Sequence, residues 1–232
     1  MTNKFKILIV SKDQSFRLNN SNVENVAITK IDNNTVPLTT VYNNFLKDIR
    51  TNDEKPEFVI FMHADVNIDL KHLTEHIEAC KDKYDVMGLC GTSIFNVSQS
   101  PLNWWTGSNP TPQAKWGCVT HGELGDKKSF FSEDRKETTD AEVACIDGLC
   151  IILGPKAIAS DMLFDEQFSF DFYDTDISLQ TILTYHLVLG VLVEESLHHY
   201  SVGKSILTPD FLKHEIDFRR KWNLPIQQNQ RS

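Results

Sequence analysis

Apolar residues along this chain fall into short continuous runs separated by amphipathic stretches. Residues 6–10 (KILIV) form a β-branched run closed by Ser11, Lys12 and Asp13, which predicts an opening buried strand. The Asn-rich stretch 19–34 is poor in apolar residues and predicts loop with at most one short strand. Helical spacing sets in over 38–49 and is broken at 51–55, after which 58–62 (FVIFM) is uninterrupted. Continuous rather than alternating hydrophobicity is the pattern of a strand covered on both faces, as in a parallel sheet. Leu70, Leu73, Ile77 and Cys80 then recur at helical spacing, and 85–90 predicts a third strand ended by Gly91.

The pattern changes after residue 91. The stretch 92–140 is rich in Ser, Asn, Gly, Pro and Lys, with Trp104, Trp105 and Trp116 embedded in it. A segment of that length without periodicity reads as a functional loop or lid. Strand character returns at 144–154 (ACIDGLCIILG), a helix is predicted over 174–186, and 187–193 is another apolar strand. Thr208-Pro209-Asp210 is a helix start, combining a hydroxyl cap, a proline in the first turn and an acid at the positive dipole end. That helix is expected to run to about Trp222, with 227–232 as a polar tail. Strands alternating with helices predict a single α/β domain built on a doubly wound sheet.

Composition narrows the function classes. The 232 residues carry 23 Lys+Arg against 32 Asp+Glu, a net charge of −9, and 41% are hydrophobic. This excludes a globally disordered chain. The acidic balance argues against a polyanion as default partner, although Arg219, Arg220 and Lys221 make one local basic patch. The five cysteines include no Cys-x-x-Cys pair and read as reduced, buried thiols. Apolar runs of about five residues fall far short of the ~20 that span a bilayer. With no cleavage signal behind Lys4 and Lys6, the expected location is cytoplasmic.

Three constellations carry candidate chemistry. His63-Ala64-Asp65 follows the FVIFM run, and in open α/β sheets ligands bind beyond the carboxyl ends of strands. An acid there can hold a divalent cation against a diphosphate, or can simply cap a turn. Residues 164–176 hold five acids and five aromatics, among them Asp171, Tyr173, Asp174 and Asp176. A carboxylate at a helix N-terminus stays ionised, as a general base must, while plain N-capping is the other use. Glu194 to Ser201 includes His198 and His199, either manganese-class ligands or structural histidines. His72-Leu73-Thr74-Glu75-His76 also matches a zinc-peptidase spacing, but reads as the solvated side of an amphipathic helix with no further acidic ligand in view.

Taken together these segments resemble a GT-A glycosyltransferase of the family 2-like group. Tyr42-Asn43 followed by 58–66 resembles "AYN … FxHxDV", with His63-Ala64-Asp65 at the Asp-x-Asp position. Cys145-Ile146-Asp147-Gly148 resembles "vDG", Phe164-Asp165-Glu166 through Asp176 resembles "FDE … EDxD", and 199–205 (HYSVGKS) resembles "HxSxGxS". The resemblance implies a mixed, mainly parallel Rossmann-like sheet. It divides the chain into a nucleotide-binding half (1–91), a loop or lid (92–143), an acceptor and catalytic half (144–205) and a C-terminal helix and tail (206–232).

The resemblance also implies roles. Ser11, Asp13, Asn43, His63 and Asp65 would bind the nucleotide sugar, and Asp65 and His199 a Mn2+ or Mg2+ ion. Asp174 would be the general base of an inverting transfer, with Asp171 and Asp176 as the other carboxylates in question and Asp176 capping its helix. Asp147, Asp171, Tyr173, Trp104 and Trp105 would face the donor sugar or acceptor, the two tryptophans stacking on a sugar ring. The implied donor is a nucleoside-diphosphate sugar, a UDP-sugar first. The implied acceptor is a hydroxyl, on a glycan by preference, with a modified nucleic-acid base still open. The competing readings are a catalytically idle nucleotide-sugar or glycan-binding domain, and a nucleotidyltransferase, against which the non-glycine-rich SKDQSF loop counts.

Overall fold

The computed structural model describes residues 3–18, 22–53, 55–98, 102, 114–123, 126–129 (backbone alone), 139–201 and 208–226. Trp104, Trp105 and most of the expected lid lie outside them.

Strand β1 (Phe5–Val10) lies between β2 (Val26–Ile31) and β3 (Phe58–His63), parallel to both. β3 is buried on both faces, and its side chains divide by parity: Val59 and Phe61 enter one core layer, Phe58, Ile60 and Met62 the other. The first layer is closed by helix α1 (Leu38–Thr51) through Tyr42, Leu46 and Ile49. The second is closed by α2 (Leu70–Cys80) through Leu70, Leu73 and Ile77, its start capped by Asp69, which accepts from the backbone of Lys71 and His72. Between β3 and α2 stands the two-residue β4 (Val66–Asn67).

Two departures from the sequence reading occur past residue 85. The predicted third strand splits into β5 (Val86–Gly88) and β6 (Cys90–Thr92), which belong to different sheets. Gly91 does not end the strand but sits inside β6, because a Cβ there would strike the Cys145 carbonyl and Val191. The 92–143 segment also contributes real strands: β7 (Lys115–His121), β8 (Asp126–Ser129) and β9 (Ala141–Glu142). β7 is a central strand of a second sheet rather than loop.

The ACIDGLCIILG stretch forms β10 (Cys145–Ile146), a turn and β11 (Cys150–Leu153), followed by the short helix α3 (Pro155–Ala159). β11 inserts antiparallel between β3 and β5. Helix α4 (Tyr173–Leu179) passes into a π-helical turn, Gln180–Thr184, before β12 (Leu189–Val191) and β13 (His198–His199). The main sheet has the order β2-β1-β3-β11-β5-β12-β9, with only β11 and β9 reversed. The second has the order β10-β6-β7-β13-β4, with β8 on β7.

Helix α5 (Pro209–Lys221) starts as its sequence predicts, the Thr208 hydroxyl accepting from Phe211 N. The basic patch expected near its end is not free. Arg219 is fully buried against Glu215 and donates to the carbonyls of Val97 and Pro225. Lys221 bridges Asp165 and Asp176, and Arg220 pairs with Asp217. Among the described residues no helix is long and apolar enough to cross a membrane.

Candidate active site

The carboxyl end of β1 opens into a cleft of about 710 Å³ whose lining includes Ser11, Lys12, Asp13, His63, Asp65 and Phe170. Asp13 is a fixed anion there: its Oδ1 accepts from Ser11 Oγ at 3.0 Å and from Ser15 N at 3.1 Å. Bonds from Ser15 and Ser11 hold its pKa below the usual carboxylate range. Lys12 lies 5.9 Å from the Phe170 ring centroid, and Phe170 is stacked on His63 at 6.0 Å. The sequence reading takes Phe170 only as one aromatic of the 164–176 constellation and Lys12 only as part of the end of the first strand, and assigns neither a role. A 43% exposed phenylalanine inside a cleft was the signal that only the structure supplies.

The second sheet brings His199 to Asp65. β13 pairs antiparallel with β4 so that His199 stands opposite Val66, and Tyr200 N donates to the Asp65 carbonyl at 2.9 Å. His199 Nε2 is 3.4 Å from Asp65 Oδ2, and ligand atoms of His63, Asp65 and His199 all lie within 4.8 Å of one another. His63, expected only as a nucleotide contact, thus joins the two residues expected on the metal. β7 adds His121, whose ring lies 5.5 Å from that of His199.

His63 has a defined tautomer. Its Nε2 is 2.7 Å from the Tyr173 hydroxyl, which is also 2.9 Å from the Gly148 carbonyl. A carbonyl can only accept, so the single hydroxyl proton goes to Gly148 and His63 Nε2 must donate. Nδ1 is therefore the nitrogen with a free lone pair. Burial, followed by the neighbouring His199, lowers the His63 pKa to about 4, so the ring is neutral. Tyr173, expected toward the acceptor, is itself buried and acts as a support for His63.

Behind this group stand two carboxylates. The β10–β11 turn carries Asp147, whose Oδ1 accepts from Leu149 N at 2.7 Å. Asp174 accepts from Gly148 N at 3.0 Å and Thr175 N at 2.7 Å. Burial raises both pKa values, and the charge of Asp174 raises Asp147 further. Asp174 sits in the first turn of α4, whose entry residue Phe172 has φ 69, in the left-handed region that a bulky side chain rarely occupies. Packing of the Phe172 ring on Phe211 and Phe218, with centroids 5.0 and 5.2 Å away, holds it there. Asp171 occupies the step between Phe170 and Phe172.

Two expected roles are corrected. Asn43 does not line the cleft: its amide donates to Phe164 O and Glu166, and its oxygen accepts from Phe164 N. All three interactions bolt α1 to the Phe164–Glu166 loop. Asp176 caps nothing; it is fully buried and accepts from Lys221, Trp222 Nε1 and Gln180. Through these bonds it anchors α5.

The profile of a family described as "glycosyltransferase like family" matches residues 14–195, so the chain belongs to that family. The mixed sheet, with helices on both faces and the cleft at its carboxyl edge, is accordingly the scaffold of a glycosyltransferase-like chain of the transferase class. A solved structure titled "Crystal Structure of A197 from STIV" is similar to it with a TM-score of 0.40 at 14% identity, over 84% of this chain and 83% of that one. No curated protein matches the chain in sequence.

Proposed function

We propose that the protein is a metal-dependent inverting glycosyltransferase that moves a sugar from a nucleoside-diphosphate sugar, with UDP as the first candidate nucleotide, to an acceptor hydroxyl of a glycan. The observation that carries this reading is the succession of three parts: a fixed anion at the end of β1 and His63 and Asp65 line the cleft, His199 joins those two in one donor set, and the Asp147–Asp174 pair lies close enough for the charges of Asp65 and His199 to act on Asp147. Two imidazoles and a carboxylate suit a manganese-class divalent ion. Such an ion, when bound, would neutralise charge on a departing nucleoside diphosphate.

The chain's own residues account for the rest. Asp13 accepts hydroxyl or base N–H protons of the nucleotide, Phe170 offers a face for stacking, and Lys12 adds positive charge for phosphate. Tyr173 keeps the His63 lone pair on Nδ1. Of the carboxylate pair, Asp174 is the base: two backbone N–H groups favour its charged form, while Asp147 holds the proton the pair shares. Asp174 then removes the acceptor hydroxyl proton as that oxygen attacks the anomeric carbon.

The test is thermal stability with a panel of nucleoside diphosphates and nucleotide sugars, with and without manganese, followed by assay of the released product. Ligand at ~100 times its Kd adds about 2.7 kcal/mol, a shift of several degrees. Stabilisation that needs manganese and is lost in Asp65→Ala, with nucleoside diphosphate as product, supports the reading. Pyrophosphate release would replace it with nucleotidyl transfer, and binding without release with a binding domain.

A further inference from the structure

The face of α2 that the spacing marked as solvated is instead the wall of a second cluster. His72, His76 and Cys80 recur at intervals of four and share one helix face. Against them lie Glu194, in the segment after β12, and Asp140, just before β9. Glu194 is fully buried, and its two oxygens meet His72 Nδ1 at 2.8 Å and His76 Nδ1 at 2.6 Å. His76 Nε2 is 2.8 Å from Asp140 Oδ2, and Cys80 Sγ is 3.3 Å from the same oxygen. The other Asp140 oxygen accepts from Val193 N at 2.9 Å. The acids absent from the local sequence pattern thus come from elsewhere in the chain.

We propose that His76, Cys80 and Asp140 form a second metal site, for zinc or a similar borderline divalent ion, distinct from the donor cleft. Ligand atoms of these three residues lie within 4.8 Å of one another. Imidazole nitrogen, thiolate and carboxylate are the donors zinc takes, at bonds of about 2.0–2.3 Å, which place neighbouring tetrahedral ligands roughly 3.3–3.5 Å apart. Of the observed separations, 2.8 Å between His76 and Asp140 needs to open by about half an ångström and 3.3 Å between Cys80 and Asp140 by about 0.2 Å or less. The outer shell is of the kind metal sites use. Glu194 accepts from His76 Nδ1, which leaves Nε2 as the donor atom, and Val193 N orients the Asp140 carboxylate. One thiolate and one carboxylate balance a divalent charge, and a neutral His76 completes three protein ligands. The fourth position falls to water, consistent with 20% and 16% exposure of the His76 and Asp140 side chains. An ion there would tie α2 to the end of the 92–143 segment and to the sheet edge at β9 and β12.

Cobalt(II) distinguishes this site from the cleft, because only this one includes sulfur. The full chain carrying Asp65→Ala, reduced and stripped of metal, is titrated with cobalt(II). The expected result is one equivalent bound, with tetrahedral d–d bands and a near-ultraviolet thiolate-to-cobalt transition that zinc abolishes. Cys80→Ser must lose the thiolate transition, and Asp140→Asn or Glu194→Gln must weaken zinc binding about 10–100-fold. Far-ultraviolet dichroism of each stripped variant checks that it is folded. Absence of the thiolate transition in the Asp65→Ala chain, or its persistence in Cys80→Ser, would overturn the proposal and leave the cluster an ion-pair network. Neither outcome bears on nucleotide binding, so this test and that of the donor site fail separately.

Discussion

Gly148→Ala probes the part of the site on which the His63 orientation depends. The added methyl carbon would overlap Oη and Cζ of Tyr173 and lie 3.1 Å from its Cε1. Tyr173 cannot swing aside, because it is buried among Tyr42, Phe164 and Phe170, with ring centroids 6.1–6.3 Å away. Overpacking of this kind costs about 1–3 kcal/mol. Displacing the hydroxyl also breaks its bonds to Gly148 O and His63, each contributing about 1 kcal/mol. The expected loss is about 3–5 kcal/mol in urea unfolding followed by tryptophan fluorescence. Tyr173→Phe alone should cost about 2 kcal/mol, from the same two bonds lost at Gly148 O and His63. In the double variant the ring loses the atom that overlaps most, so its loss should fall short of the sum of the singles by at least ~1 kcal/mol. A Gly148→Ala loss under ~1 kcal/mol, or strict additivity, would refute the claim that the Tyr173 hydroxyl fills the space a side chain at 148 needs.

The other expectations use the same chain. Burial raises the Asp174 pKa to about 6, so a rate that needs it ionised should fall as pH drops through that value; a rate unchanged down to pH 5 excludes Asp174 as base. For stability the sign is opposite, since Asp147 is raised from 3.8 to about 7 in the folded state. The stability its neutral form contributes is full below about pH 4 and is lost between about pH 4 and 7, so Asp147→Asn should stabilise the protein at pH 8 by on the order of 1 kcal/mol and have no effect below about pH 4, read as urea midpoints. Arg219→Met strands the Glu215 carboxylate, both side chains being fully buried, and should cost about 3–5 kcal/mol; adding Glu215→Leu should recover at least half, measured by chemical unfolding.

The elements that a short window describes were readable from sequence. FVIFM is a strand because five apolar residues in a row fit a surface covered on both sides, and α5 begins at Thr208 because its cap, proline and acid are consecutive. Strand direction has no such local mark. β11 and β12 are both short and apolar, yet β11 runs against β3 while β12 runs along β5. Connection lengths and the neighbouring helices decide that, not composition. β7 was missed because KWGCVTH neither alternates cleanly nor runs apolar, and Gly117 within it has φ 115.

For charged residues the deciding partners lie far along the chain. Asn43 looked like a ligand contact, but its partners are 121 and 123 positions away. The basic triplet reads as a local basic patch, but Lys221 is neutralised by acids 45 and 56 positions away. The α2 histidines looked idle for want of a Glu194 that lies 118 and 122 positions downstream. Asp174 and Asp176 show how far local geometry can nevertheless go. Two residues apart on a helix turn the side chains about 200° from each other, so the pair cannot serve one site. One of them had to face the core side of the neighbouring element and the other the β10–β11 turn. Only the position of α5, with Lys221 and Trp222 laid against Asp176, assigns which is which, and it does so by leaving Asp174 to the backbone of Gly148 in the β10–β11 turn.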